Sequence, residues 1–306
     1  MTSIGANLPP PAPLTGRLVE TMCGNYQQHH HIGAPFRARP TWPALLYVVE
    51  GEIGAGKTVI CQEIANELRA AGKKVCLILE PVDCWRDIGI LKKFYDDRAR
   101  HAYGFQTFVY ATRVLAIERA IEAEPKADIY LLERSPATDQ IFMELQRDLL
   151  DEVEMKMYET WCASWQQFLR VDISKARVLY LKPSLEQCMS RTKARAREGE
   201  LKLSEGSAAA AEPAAAEPKK ESSGGVTIEY QALLRRAHER FLQGKHPDEF
   251  PLMPKSPFPL ESVIEIGPAL ADANFRDPSP ERDRVVGEIL RMMGFERERG
   301  DVQKPT

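Results

Sequence analysis

The stretch Leu45-Leu46-Tyr47-Val48-Val49-Glu50-Gly51-Glu52-Ile53-Gly54-Ala55-Gly56-Lys57-Thr58 is a β-branched apolar run that breaks into a glycine-rich loop and re-enters a helical pattern. It fits G-x-x-x-x-G-K-[ST], in which glycines let successive backbone N–H groups curl round phosphate oxygens. Gly51, Glu52, Ile53, Gly54, Ala55 and Gly56 would form the cradle, Lys57 would bring a point charge to the phosphates, and Thr58 would offer a hydroxyl to Mg²⁺. Ile60, Ile64, Ala65 and Leu68 follow at helical spacing. The loop therefore opens a helix whose N-terminal partial positive charge faces the same anion. A strand before and a helix after are the context that separates a phosphate loop from a glycine-rich turn. These residues imply a bound triphosphate and leave its acceptor open.

The chain has 306 residues, 43% of them hydrophobic, enough for one large core or two small ones, and a net charge of −3 that speaks against a general nucleic-acid binder. No apolar run approaches the roughly 18 residues a bilayer span needs, so a protein without a membrane partner is expected. Cys23, Cys61, Cys76, Cys84, Cys162 and Cys188 are scattered without C-x-x-C spacing, the usage of free thiols in a reducing compartment. Residues 1–42 carry many prolines and no sustained periodicity, and read as a flexible tail. A cytoplasmic protein is expected. A mitochondrial transit peptide is the alternative, because the tail is poor in acid, but its prolines spoil the amphipathic helix such peptides need. His29, His30 and His31 read as solvated rather than metal-binding.

Downstream, strands alternate with helices. Val75–Leu79 reads as a buried strand ending in Glu80-Pro81, and Ile129–Leu132 as another ending in Glu133-Arg134-Ser135. Carboxylates at the C-terminal ends of parallel strands stand in the crevice where open α/β sheets bind ligands. Each is also compatible with an ordinary surface acid. Residues 105–124 read as a helix on which Gln106, Tyr110 and Arg113 share one face, continued by apolar Ile117 and Ile121. Residues 137–170 read as helical, with Trp161, Trp165 and Phe168 in one stripe suited to core or subunit-interface packing. A fourth strand, Arg177–Leu181, precedes a helix from about Ser184 that carries Arg191, Arg195 and Arg197. Those arginines suit either a phosphate clamp or a solvated basic face. Residues 203–225 are a low-complexity insertion of Ala, Glu, Pro, Ser and Gly. Helix resumes over about Thr227–Leu242, followed by a strand at Val263–Ile266 and a last helix over Glu281–Met293. Five strands alternating with helices predict an α/β fold, a parallel sheet covered on both faces.

Taken together, these fragments resemble the deoxynucleoside kinases, over about Leu45 to Met293. The likeness rests on the phosphate loop, on Glu80-Pro81-Val82 with Trp85, on Tyr95, on Phe105-Gln106, on Glu133-Arg134-Ser135, and on Arg191, Arg195 and Arg197 with Glu200. It implies a P-loop kinase fold in one domain over residues 43–295, with an arginine-bearing lid over 184–202, flanked by the tail and by residues 296–306. It implies transfer of the γ-phosphate of ATP, with Mg²⁺, to the 5′-hydroxyl of a deoxynucleoside, by a homodimer in nucleotide salvage. Glu80 would be the general base, with Arg134 beside it. Tyr95 and Glu200 would hold the sugar 3′-hydroxyl, and Gln106 would pair with the base. Trp85, Val82 and Phe105 would line it. Glu133 and Thr58 would organise Mg²⁺, and Arg191, Arg195 and Arg197 would close over the phosphates.

The deoxycytidine and deoxyguanosine kinases carry an arginine seven residues after the glutamine, paired with an aspartate four residues after the serine of Glu-Arg-Ser. Arg113 and Asp139 occupy those positions here. Thymidine-accepting members have small or apolar residues there, so deoxycytidine or a purine deoxynucleoside is the expected substrate. The sequence departs from the family at the base-stacking phenylalanine, which is Met143 here, with Phe142 one position early, and at the insertion that separates Glu200 from the next helix. A nucleoside-monophosphate kinase of the thymidylate type shares the loop and lid, but needs no base such as Glu80, because its acceptor is already a phosphate. A noncatalytic accessory subunit of the same fold is the other alternative, and the intact Lys57, Glu80 and arginine set speaks against it.

Overall fold

The computed structural model of the chain describes residues 44–195 and 226–295. The tail of residues 1–42, the 203–225 insertion, residues 296–306, and with them Arg197 and Glu200, lie outside the described residues.

Five strands form one sheet: β1 (Leu45–Gly51), β2 (Val75–Ile78), β3 (Ile129–Glu133), β4 (Arg177–Leu181) and β5 (Val263–Ile266). They run parallel in the order β2-β3-β1-β4-β5. β1 lies in the middle, with Val48 level with Leu132 of β3 and Val178 of β4. The sheet grows away from β1 on both sides, so a crevice opens at the C-terminal ends of the central strands, where the phosphate loop begins.

The helices are α1 (Lys57–Ala70), α2 (Val82–Asp87), α3 (Ile90–Asp96), α4 (Arg98–Ala123), α5 (Asp139–Glu144), α6 (Glu152–Gln166), α7 (Leu185–Arg195), α8 (Ile228–Gln243), α9 (Pro268–Ala271) and α10 (Pro280–Met292). Successive strand side chains point to opposite faces, and both faces here are apolar, as a parallel sheet covered on two sides requires. Tyr47, Val49, Leu131 and Leu179 pack against Ile60, Ile64 and Leu68 of α1 and Val285 and Ile289 of α10. Val48, Leu132, Val178 and Tyr180 pack against Tyr110, Val114 and Ile117 of α4, Tyr158 of α6 and Leu234 and Phe241 of α8.

All five expected strands are present, but two helical expectations change. The run 137–170 is broken rather than continuous. A 3₁₀ turn at Pro136–Thr138 leads into α5, a second at Arg147–Leu149 ends in extended Leu150, and Asp151 then starts α6 afresh. The Asp151 carboxylate accepts from the Glu154 N–H while Glu154 returns a bond to the Asp151 N–H, and this reciprocal cap fixes the new start. The helix expected over 105–124 begins earlier, at Arg98, because Asp97 caps it through the Arg100 N–H. Trp161, Trp165 and Phe168 make an edge-to-face ladder with centroids 5.6 and 6.0 Å apart. That ladder lies on the surface, with Trp161 and Phe168 exposed. Among the described residues no helix is long and apolar enough to cross a membrane.

Candidate active site

The loop between β1 and α1 is held in a shape that only glycine allows at two points. Gly54 has φ +81°, and a β-carbon there would run into the Cys188 carbonyl and the Thr192 hydroxyl of α7. Gly56, φ +95°, is the residue from which α1 starts, and no side chain caps its amides and no acid sits in its first turn. The backbone donors of that turn are thus left for an anion. Lys57 is buried and donates to the Gly51 and Glu52 carbonyls at 3.2 and 2.9 Å. Burial, reinforced by the charge of Arg134 and opposed by Glu133, Glu80 and Glu50, lowers its pKa to about 8. The Thr58 hydroxyl donates to Glu133 at 2.7 Å, so the two residues expected to organise Mg²⁺ meet where the start of α1 faces the end of β3.

On the outer side of the loop, Gly54, Gly56, Thr58, Ser190, Arg195 and Asn274 share a second cleft with Arg191 and Phe275. Arg191 is already engaged. It donates to the carbonyls of Ala55, Ala271 and Ala273 at 3.0, 3.0 and 2.6 Å, and its guanidinium lies 5.7 Å from the Phe275 ring. It thereby ties the phosphate loop to the segment after β5. Arg195, the last described residue of α7, borders both this cleft and the inner cavity.

The inner cavity is lined by Glu80, Val82, Trp85, Tyr95, Phe105, Gln106, Arg113, Arg134 and Asp139, all expected from the sequence. Its aromatic wall is built from three elements. Phe94 of α3 stacks on Phe105 of α4 at 4.4 Å and 19°, and Trp85 of α2 meets Phe105 edge-on at 6.1 Å. The Trp85 indole N–H is fixed by Thr112 at 2.8 Å. Gln106 and Arg113 face the cavity as their spacing predicts, but Tyr110, between them, turns into the core and donates to the Cys162 carbonyl.

The polar floor is a charge cluster. Arg113 donates from Nε and Nη2 to the two Asp139 oxygens at 2.9 and 2.8 Å, and from Nη2 to Glu80 at 2.9 Å. Arg134 Nε lies 3.5 Å from the same Glu80 oxygen. Burial works against ionisation of Glu80, yet Arg113, Arg134 and Lys57 outweigh it and hold the carboxyl at about 2. Burial moves Asp139 the other way, above its usual value despite Arg113. The third Arg113 nitrogen, Nη1, is buried and has no partner among the described residues.

Three groups around this floor carry no signal in the motifs. Glu50, fully buried, accepts from the Ser135 N–H at 3.0 Å, from Thr138 at 2.6 Å and from Arg134 at 3.2 Å. Those bonds hold Arg134 in a left-handed backbone conformation, φ +63°, that non-glycine residues seldom adopt. Tyr230 and His238 of α8 complete the set. Tyr230 lines the cavity, with the Arg98 guanidinium 4.9 Å from its ring. His238 stacks on Tyr180, its Nδ1 is 2.8 Å from the Leu234 carbonyl, and burial with the nearby Arg134 charge keeps its pKa well below the ordinary value. Phe142 faces the cavity, 4.7 Å below the Arg134 guanidinium. Met143 does not join the lining. It is packed in the core behind, next to Met155 and Tyr158.

A parallel sheet in this order, a phosphate loop at its central strand and a basic helix above it define a P-loop kinase. The deoxynucleoside kinase family model matches residues 47–206. A probable deoxycytidine kinase of Fowlpox virus (strain NVSL) is 30% identical over 244 residues, 79% of this chain and 85% of that protein. Deoxycytidine kinase 1 of Xenopus laevis is 24% identical over 218 residues, 63% of this chain and 72% of that one. Human mitochondrial thymidine kinase 2 is 30% identical over 159 residues, 50% and 56% of the two chains. The chain belongs to the deoxynucleoside kinase family, and its activity is that of an ATP-dependent deoxynucleoside kinase.

Proposed function

We propose that this kinase phosphorylates deoxycytidine or a purine deoxynucleoside in preference to thymidine. The observation that carries the choice is Arg113. It is buried and locked to Asp139 through Nε and Nη2, while Nη1 is left with a proton to donate. A base offering a ring acceptor, such as cytosine N3 or purine N7, satisfies that donor. Thymine offers an N–H at its own N3, and its methyl would crowd the ion pair. Leaving a buried donor unpaired is the kind of mismatch by which polar sites discriminate strongly. The test is competition: thymidine added to a deoxycytidine reaction should inhibit weakly, and inhibition by thymidine at or below the deoxycytidine KM would refute the choice.

In this reading Glu80 accepts the 5′-hydroxyl proton. Its low pKa makes it a weak base, suited to a loose phosphoryl-transfer transition state in which little covalent chemistry is left for the protein. Arg134 and Arg113 orient Glu80. Gln106 pairs with the base edge, and Tyr95 stands at the sugar, with Glu200 assigned there by resemblance. Lys57, Arg195 and Arg197 neutralise the transferring phosphate, and Arg191 holds the loop that carries the donor. Thr58 and Glu133, hard oxygen ligands at the loop's end, fit Mg²⁺, which supplies charge neutralisation on the phosphate oxygens. We assign residues 184–202 as a lid within a single kinase domain spanning 43–295, interrupted by the 203–225 insertion, and we place the enzyme in the cytoplasm.

The exposed ridge on α6 supports a homodimer. Val153, Met157 and Trp161 recur at i, i+4 and i+8 and are 67%, 51% and 38% exposed, with Phe168 beyond them at 64%. Light scattering should give twice the chain mass, and Trp161→Glu should halve it. A monomeric parent protein would remove this assignment.

A further inference from the structure

Glu52 is the first residue after the opening glycine of the phosphate loop, and it places a carboxylate directly beneath an anion-binding cradle. It is fully buried. One oxygen, Oε1, accepts from Tyr180 of β4 at 3.1 Å and from Arg235 of α8 at 2.8 Å, while Oε2 has no partner among the described residues. The same arginine donates to the Pro183 carbonyl at the start of the α7 segment. One turn earlier on α8, Gln231 is fully buried and donates from its amide to the Ile53 carbonyl at 2.5 Å. Gln231 and Arg235 fall at i and i+4, so one turn of α8 presents both to residues 52 and 53 of the loop. The helix is otherwise apolar on that side, with Leu234, Ala237 and Phe241 buried.

A lone carboxylate in this position would oppose the donor triphosphate through a medium of low dielectric. A fully buried charge is also costly unless a partner neutralises it. We propose that Arg235 is a positioning residue for the donor nucleotide. It neutralises Glu52, while Gln231 on the Ile53 carbonyl independently holds residues 52–54 in the shape whose amides take the phosphates. The inference rests on the loop binding the donor, and it adds α8, which lies far from the loop in sequence, to the machinery of donor binding. Tyr180 is held protonated by burial and by Glu52, so it remains a donor to the pair.

The experiment measures equilibrium affinity for ATP and for deoxycytidine, separately, in Arg235→Gln, Glu52→Gln, the double variant and Lys57→Ala. Arg235→Gln should weaken ATP on the order of tenfold, as expected for one uncompensated charge near the phosphates at intermediate dielectric. Its deoxycytidine affinity should stay at the parent value. The double variant should return ATP affinity to within about threefold of the parent, because replacing both partners removes the stranded charge. Glu52→Gln alone should bind ATP more tightly, since it leaves a net positive group under the loop. A role in packing alone predicts no rescue by the second substitution. The proposal is overturned by normal ATP affinity in Arg235→Gln, by a double variant as weak as the single, or by weaker ATP binding in Glu52→Gln. If Arg235→Gln fails to fold, the other two variants decide. Lys57→Ala tests the loop reading itself: unchanged ATP affinity there would defeat donor binding by the loop, whereas impaired Lys57→Ala with normal Arg235→Gln would defeat only the role of Arg235.

Discussion

The proposed donor half of the site centres on residues 51–58 and on their backbone amides, Lys57 and Thr58, whereas the acceptor half draws side chains from beyond the end of β2, from the end of β3, and from α2, α3, α4, α5 and α8. The first is a shape, and it depends on positive φ at glycines and on neighbours that press against it. The second is a set of charges balanced on one another, with Arg113 serving Asp139 and Glu80 at once. A shape made of backbone binds any triphosphate. A charge cluster that leaves one donor free selects its ligand. Substitutions in the donor half should therefore alter affinity for ATP, and those in the acceptor half should alter chemistry and choice of base.

The largest effect expected is at Glu80. Glu80→Gln should keep deoxynucleoside binding and lower kcat by roughly 10²-fold or more. Near-normal turnover would end its assignment as the base. Next comes the pair proposed to read the base. Arg113→Met with Asp139→Ala should raise the thymidine to deoxycytidine ratio of kcat/KM by at least about tenfold, the low end of what one pocket contact contributes to discrimination. A ratio that does not rise would break the contrast between the two halves, because specificity would then lie elsewhere.

The two halves should also differ in pH. Lys57, with its pKa lowered to about 8 by burial, carries its charge below that value, so kcat/KM for ATP should fall about fivefold between pH 8 and 9. Stability moves oppositely: the folded chain binds fewer protons at Lys57 than the unfolded chain between pH 8 and 10.5, so this group favours folding more as pH rises through that window. Glu80, held at about 2, contributes stability above its ordinary value of 4.5 and loses it as pH falls toward 2. No acid limb from Glu80 should therefore appear in kcat/KM for the deoxynucleoside above about pH 4. A lysine limb that stayed near pH 10 would show that the loop does not bury Lys57 in solution.

The smallest expected effect is structural. Thr138→Val removes the 2.6 Å bond to buried Glu50 and should cost about 1–3 kcal/mol, lowering Tm by several degrees. Because Glu50 also holds Arg134, kcat should fall with it. A stability loss with unchanged kcat would separate the support under Arg134 from catalysis.

The difference between the halves also explains what could be read from the sequence. The strand, loop and helix of residues 45–70 are contiguous, and their glycine spacing and apolar periodicity carry their own meaning. Glu80, Arg113, Arg134 and Asp139 look like surface charges until a family pattern places them together, because their burial depends on one another and not on local sequence. Gln231 and Arg235 carry no local signal for the same reason. A polar stripe at i and i+4 on an amphipathic helix ordinarily faces water, and only Glu52 and the Ile53 carbonyl, arriving from the far end of the chain, make it an inner face. Phe142 and Met143 exchanged places relative to expectation. α5 starts directly from a 3₁₀ turn, and the residue presented to the cavity is Phe142. The break before α6 was legible in Asp151 and Glu154, a capping pair that the long apolar stripe around it obscured.

The most direct test of the claim that Arg113 and Asp139 choose the base is a steady-state panel of deoxycytidine, deoxyadenosine, deoxyguanosine and thymidine with ATP and Mg²⁺. Thymidine should have a kcat/KM at least about tenfold below the best of the other three. A thymidine value equal to or above the best of them would contradict it.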